Sequence, residues 1–186
     1  MKSYIYLIFI LLTLVSCSVS RQSFEPEKAA ILDSQLKDGN YEAKFMWARP
    51  LMSNELSNIY ATNLLPAISQ TGRVNILDAQ NFIRKSGDSI DMYLPYFGTR
   101  HLSVDIGENN SAISFKGIPK KYTVKFYEKK QLYVVSFVVR RRTETFNVTM
   151  QLYPEDRIQL NINCSHRSTI IYEGSFINGE VEIAGK

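Results

Sequence analysis

The chain has 186 residues, 45% hydrophobic and 22% charged, with few glycines and prolines; this composition excludes disorder and suits one globular domain with an ordinary core. A formal net charge of +4, part of it from Lys2 in a leader, gives no electrostatic case for nucleic acid. Eleven tyrosines and ten phenylalanines, spread along the whole chain, favour strands over helices.

The first element is a leader, "MKSYIYLIFILLTLVSC". One cation precedes an apolar stretch from Tyr4 to Leu14, which is shorter than the roughly 20 residues of a spanning helix and has the size of a signal-peptide core. Leu14, Val15, Ser16 and Cys17 resemble the bacterial lipobox, in which the peptidase cuts before a cysteine that carries a diacylglycerol. Residues 1–16 are therefore expected to be a lipoprotein signal peptide, 17–25 a lipidated tether and 26–186 a single helix-plus-β-barrel domain. The other reading is a plain secretory signal cut further on, with Cys17 discarded. The lipobox reading places the protein in the cell envelope, lipid-anchored at the outer membrane and facing the periplasm or the cell surface. It also leaves Cys164 without a disulfide partner in the chain.

Pro26 at a first turn, Glu25 and Glu27 near the positive end of the helix dipole and Gly39 as a stop predict a helix over Pro26–Asp38. Ala29, Ile31, Leu32 and Leu36 form its narrow apolar stripe. From Asn40 the period is two. "YEAKFMWA" sets Tyr41, Ala43, Phe45 and Trp47 on one face; "ETFNVTMQL" sets Phe146, Val148, Met150 and Leu152 against polar partners. "RIQLNINC" extends the pattern, with Ile158, Leu160, Ile162 and Cys164 as core. Turns such as "KSGDS", "YEKKQ", "RRRTE" and "YPEDR" separate the strands, describing an antiparallel meander that closes into a barrel or folds over as a sandwich. "LMSNELSNIYATNLLPAISQ" has no clean period and is expected to be irregular. In "LYVVSFVVR" both faces are apolar, so the second face needs a cover. The predicted helix is expected to provide it, through Ile31, Leu32 and Leu36.

At "LPYFG", residues 94–98, Pro95 lacks an amide donor and belongs at an edge, a strand end or a bulge, and Gly98 permits the backbone to turn with positive φ, so a bend is expected there. Tyr93, Tyr96 and Phe97, with Arg100, His101, Arg167 and Tyr172, are candidate ligand or barrel-mouth residues. The competing reading is a corner that closes one end of the core. Arg167 is expected to cap strand-end carbonyls or meet a carboxylate.

Together with "SHRSTIIYEG", residues 165–174, the "LPYFG" motif resembles a family of Bacteroidota lipoproteins catalogued as domain of unknown function 4251. The resemblance runs from near Ala29 to about Gly174 and includes the order of parts. It implies a mainly β fold, a small barrel of broadly lipocalin-like topology with one N-terminal helix, and an envelope location. It supplies no activity.

His101, His166 and Cys164 show no metal-ligand spacing, and no phosphate loop or nucleophile elbow is present, so no cofactor, metal or enzymatic activity is expected. The basic pairs Lys120–Lys121 and Lys129–Lys130 and the run Arg140–Arg142 fall at strand ends, where they discourage edge-to-edge pairing and attract acidic headgroups weakly. The expected function is a noncatalytic envelope lipoprotein that binds a small apolar or amphipathic ligand or a partner protein. A structural or assembly accessory without a pocket is the alternative, and a hydrolase the remote one.

Overall fold

The computed structural model describes residues 26–51, 72–101 and 112–177. The leader, Cys17, the tether and nearly all of the aperiodic segment after Pro50 lie outside the described residues. Helix α1 spans Pro26–Asp38. Gly39 ends it at φ +67°, donating its N–H to the Gln35 carbonyl at 3.2 Å.

The strands are β1 (Asn40–Pro50), β2 (Val74–Asn75), β3 (Phe82–Ser86), β4 (Ser89–Leu94), β5 (Ile113–Gly117), β6 (Lys120–Tyr127), β7 (Leu132–Arg141), β8 (Glu144–Leu152), β9 (Ile158–Cys164) and β10 (Ile170–Phe176). They form one antiparallel sheet in the order β5-β4-β3-β1-β10-β9-β8-β7-β6, with β2 on β1. The predicted mainly β meander with one N-terminal helix is what the structure shows. It curls round because the last strand returns to pair with the first, Ala43 opposite Phe176 and Pro50 opposite Ile170. The two ends of the sheet are β5 and β6, which are consecutive in the chain and separated only by Ile118 and Pro119. Gly117 turns at φ +148° and Pro119 has no N–H to give a ladder, so the strand breaks there. The result is a half-barrel with its seam between β5 and β6.

The inner face carries the alternation read from the sequence. Phe146, Val148, Met150 and Leu152 on β8 and Ile158, Leu160 and Ile162 on β9 are buried, and Cys164 ends the same row. They join Phe45, Phe137, Ile83, Met92 and Tyr172 in one continuous cluster that fills the interior.

Three details differ from the sequence expectation. Trp47 does not share a face with Tyr41, Ala43 and Phe45, because β1 bulges between Phe45 and Trp47 and Ala48 takes the inner position. The bulge is held by the buried Asn81: its Oδ1 accepts from Phe45 N at 2.7 Å, and its Nδ2 donates to the Ile76 and Ala79 carbonyls at 2.8 and 3.0 Å. Second, α1 buries Leu32 and Leu36 but leaves Ile31 50% exposed. The helix meets the concave side of β7: Tyr133, which shares the inner face with Val135 and Phe137, donates to Asp33 Oδ1 at 2.9 Å. It therefore does not cover Val134 and Val138 on the outer face. Those two are half-buried between cross-strand neighbours, Lys125 and Gln151 for Val134, Lys120 and Asn147 for Val138, whose stems lie alongside. Third, β6 shows no alternation of buried and exposed faces, where a strand of a barrel is expected to keep one face buried: every residue of it except Tyr122 is exposed.

Candidate functional site

Two places combine the predicted residues with usable geometry. The first is the bend after β4. Pro95 gives no donor, but its carbonyl accepts from the Tyr172 hydroxyl at 2.7 Å. The Tyr96 hydroxyl lies 2.9 Å from the carbonyls of Thr99 and Ser168 and 2.9 Å from Ser168 Oγ. With one proton to give, Tyr96 donates to the carbonyls and accepts from Ser168, whose Oγ accepts in turn from Thr99 N at 3.1 Å. Backbone bonds complete the staple: Ser168 N to the Thr99 carbonyl at 2.9 Å and His101 N to the His166 carbonyl at 2.8 Å, flanking an Arg100–Arg167 bridge. Gly98 is required for space rather than for positive φ, since a Cβ there would overlap the hydroxyls of Tyr96 and Ser168.

Arg167 is 6% exposed and does meet a carboxylate. Its Nε and Nη2 donate to Oε1 and Oε2 of Glu144 at 2.7 and 2.8 Å, a bidentate pair, while the rings of Tyr96 and Phe146 lie 5.1 and 5.7 Å from the guanidinium carbon. Burial raises the pKa of Tyr96 and lifts that of Tyr172 well above the ordinary tyrosine value. Burial, with the Glu144 charge adding to it, pushes the Cys164 thiol up to about 12, so it is neutral at physiological pH and a poor nucleophile. The bonds at this corner tie the bend after β4 to the segment before β10. Of the seven predicted residues, Tyr96, Arg167 and Tyr172 converge here with their side chains. Phe97 packs half-buried against the core, and Arg100 and His101 join through their backbone.

Tyr93 faces the other way, to the outside, opposite Phe82 and Ser114 in register. It belongs to the second place, a cavity of about 410 Å³ at the seam. Phe82, Tyr93 and Phe115 give it aromatic walls, and Lys116, Arg140 and Arg141 stand at its rim with one carboxylate, Asp91. Arg141 reaches across the seam, donating from Nη1 to Ser114 Oγ at 3.0 Å. Lys116 and Asp91 are 3.4 Å apart. A neighbouring hollow of about 440 Å³ shares Gln80 and Phe82, but the Arg84 charge on its wall is met by Glu42 at 2.7 Å. The seam thus couples apolar walls to an excess of positive charge.

Sequence reasoning missed Glu144 and the seam. Glu144 had a readable signal: it shares the inner parity of β8 with Phe146 and Val148, an acid on an apolar face. The seam cavity had none, because its walls come from β3, β4, β5 and the end of β7.

A family model described as Domain of unknown function (DUF4251) matches residues 25–176. The chain belongs to this family. Among solved structures it is similar to a DUF4251 family protein from Bacteroides eggerthii, at 11% identity and a TM-score of 0.52 over 81% of this chain and 87% of that one. The DUF4251 fold is therefore shared at very low identity. No curated protein matches the chain.

Proposed function

We propose that this DUF4251 chain is a noncatalytic, lipid-anchored protein of the cell envelope that binds a small amphipathic ligand at the seam of its half-barrel. The observation that carries the reading is the division of space: the interior is filled from Leu32 to Tyr172, while the seam offers about 410 Å³ between aromatic walls beside three cations. A ligand suited to it has a flat apolar body, stacked on Tyr93 and Phe82, and an anionic group directed to Arg141 and Lys116. The anchor reading rests on the "LVSC" junction at Cys17. Helix α1 begins at Pro26, so nine residues of tether can span roughly 30 Å at most.

Two measurements test this. Cys17→Ser is expected to move the protein from the membrane fraction to the soluble one, because the two acyl chains it removes each add about 0.8 kcal/mol per buried methylene. Unchanged fractionation rejects the anchor. For the seam, the probe is an anilinonaphthalene sulfonate dye, which has the required shape and charge. Tyr93→Ala and Arg141→Gln are each expected to weaken its binding about tenfold, the loss of one stacking or charge-assisted contact. Equal affinity in both variants would place the dye elsewhere and favour an assembly accessory with no ligand pocket.

A further inference from the structure

The net charge of the chain is concentrated in one short stretch. From Ile118 to Lys130 the sequence reads "IPKKYTVKFYEKK", which holds five of the 22 basic side chains and one of the 18 acidic ones, so the rest of the chain is balanced. This stretch is the end strand β6 and the tip that joins it to β7. Four of the nine large apolar side chains exposed among the described residues also fall here: Ile118 at 72%, Val124 at 39%, Phe126 at 44% and Tyr127 at 47%. Cations and exposed aromatics interleaved along one edge are the composition that bilayer interfaces select, because aromatic rings settle at headgroup depth and lysines meet lipid phosphates.

We infer that the β6 edge and its tip form a docking surface for anionic phospholipid bilayers, independent of the lipid anchor and of the seam ligand. The surface is built rather than incidental. Phe126 is braced by Tyr133, ring centroids 4.7 Å apart, and Tyr133 is tied to α1 through Asp33, so the aromatic edge is rigidly presented. Gln131 at φ +50° and the short 3-10 turn Glu128–Lys130 fold the tip sharply, so that Tyr127, Lys129 and Lys130 crowd one corner. A second protein strand is the other occupant an open edge invites, but this edge is unsuited to it. The register slips between Lys120 and Thr123, Lys121 sits at φ +54°, and Lys125 stands midway along the strand. Such features block strand addition and leave a charged, amphipathic rim.

The test uses the mature chain from residue 17 carrying Cys17→Ser, so that no acyl chain contributes. It is expected to cosediment with vesicles of phosphatidylglycerol mixed with phosphatidylcholine, at least about tenfold more than with phosphatidylcholine alone, and to be released by high salt. Adding Lys125→Glu, Lys129→Glu and Lys130→Glu, all at exposed positions, should abolish the binding with melting unchanged. In a separate variant, Tyr127→Trp, tryptophan emission should shift to the blue and be quenched by brominated lipid. Equal binding to neutral and anionic vesicles, retained binding after charge reversal, or no quenching at position 127 would each overturn the inference. So would a concentration-dependent dimer that charge reversal disrupts, which would assign the edge to a second copy of the chain.

Discussion

Arg167→Ala is expected to destabilise the domain by about 3 to 5 kcal/mol, the cost of leaving a buried carboxylate without its partner. The side chains of Arg167 and Glu144 are 5% and 15% exposed, and the pair is bidentate, so Glu144 would lose both of these hydrogen bonds at once. Tyr96 and Phe146 would also lose the cation they flank. For a domain of this length the midpoint of thermal unfolding should fall by roughly 10 °C. Arg167→Leu combined with Glu144→Leu should recover much of the loss, since removing both charges leaves neither unpaired. If Arg167→Ala melts with the wild type but loses dye binding, the corner is a ligand site and its assignment as a staple fails.

Gly174→Ala is also expected to be severely destabilising. A methyl group at Gly174 would overlap the Lys44 carbonyl oxygen and press on Phe45 Cα, both backbone atoms of the bulged β1 opposite. No rotamer relieves a backbone clash, so the β1–β10 pair that closes the half-barrel would have to separate. Overpacking commonly costs about 1 to 3 kcal/mol, and this case should reach or exceed the upper end. Gly98→Ala provides the comparison. Its obstacles are side-chain atoms, the Tyr96 hydroxyl and ring carbon Cζ and the Ser168 hydroxyl; Ser168 can change rotamer and the Tyr96 ring can shift, each at the cost of hydrogen bonds. The urea midpoint should therefore fall further for Gly174→Ala than for Gly98→Ala; the reverse order would contradict the register of β1 against β10.

How legible the fold was depended on the range of the interaction that fixes each part. The rows on β8 and β9 could be read because burial on one face of a strand imposes a period of two on neighbouring residues. The bulge could not, since Asn81 holds Phe45 from 36 positions away and leaves no mark on the alternation of "YEAKFMWA". Leu32 and Leu36 were legible as core, whereas Ile31 belongs to the same helical stripe and only the tilt of α1 on the sheet excludes it. Arg167 was legible as a cation that would cap strand-end carbonyls or meet a carboxylate, though which of the two was not. Its partner was visible only as an acid at an inner position of β8. At the candidate site, "LPYFG" marked the bend but not the direction of its side chains: Tyr96 turns into the staple, and Tyr93, before it on β4, turns out to the seam.

The proposed function assigns ligand binding to the seam and not to the interior or the "LPYFG" corner. Its most direct test is a native mass spectrum of the protein purified from membranes of its own host. The expected result is a retained small-molecule adduct that disappears in the Tyr93→Ala, Arg141→Gln variant while Phe97→Ala at the corner keeps it. A bare mass in the wild type, or an adduct that survives the seam substitutions, would contradict it.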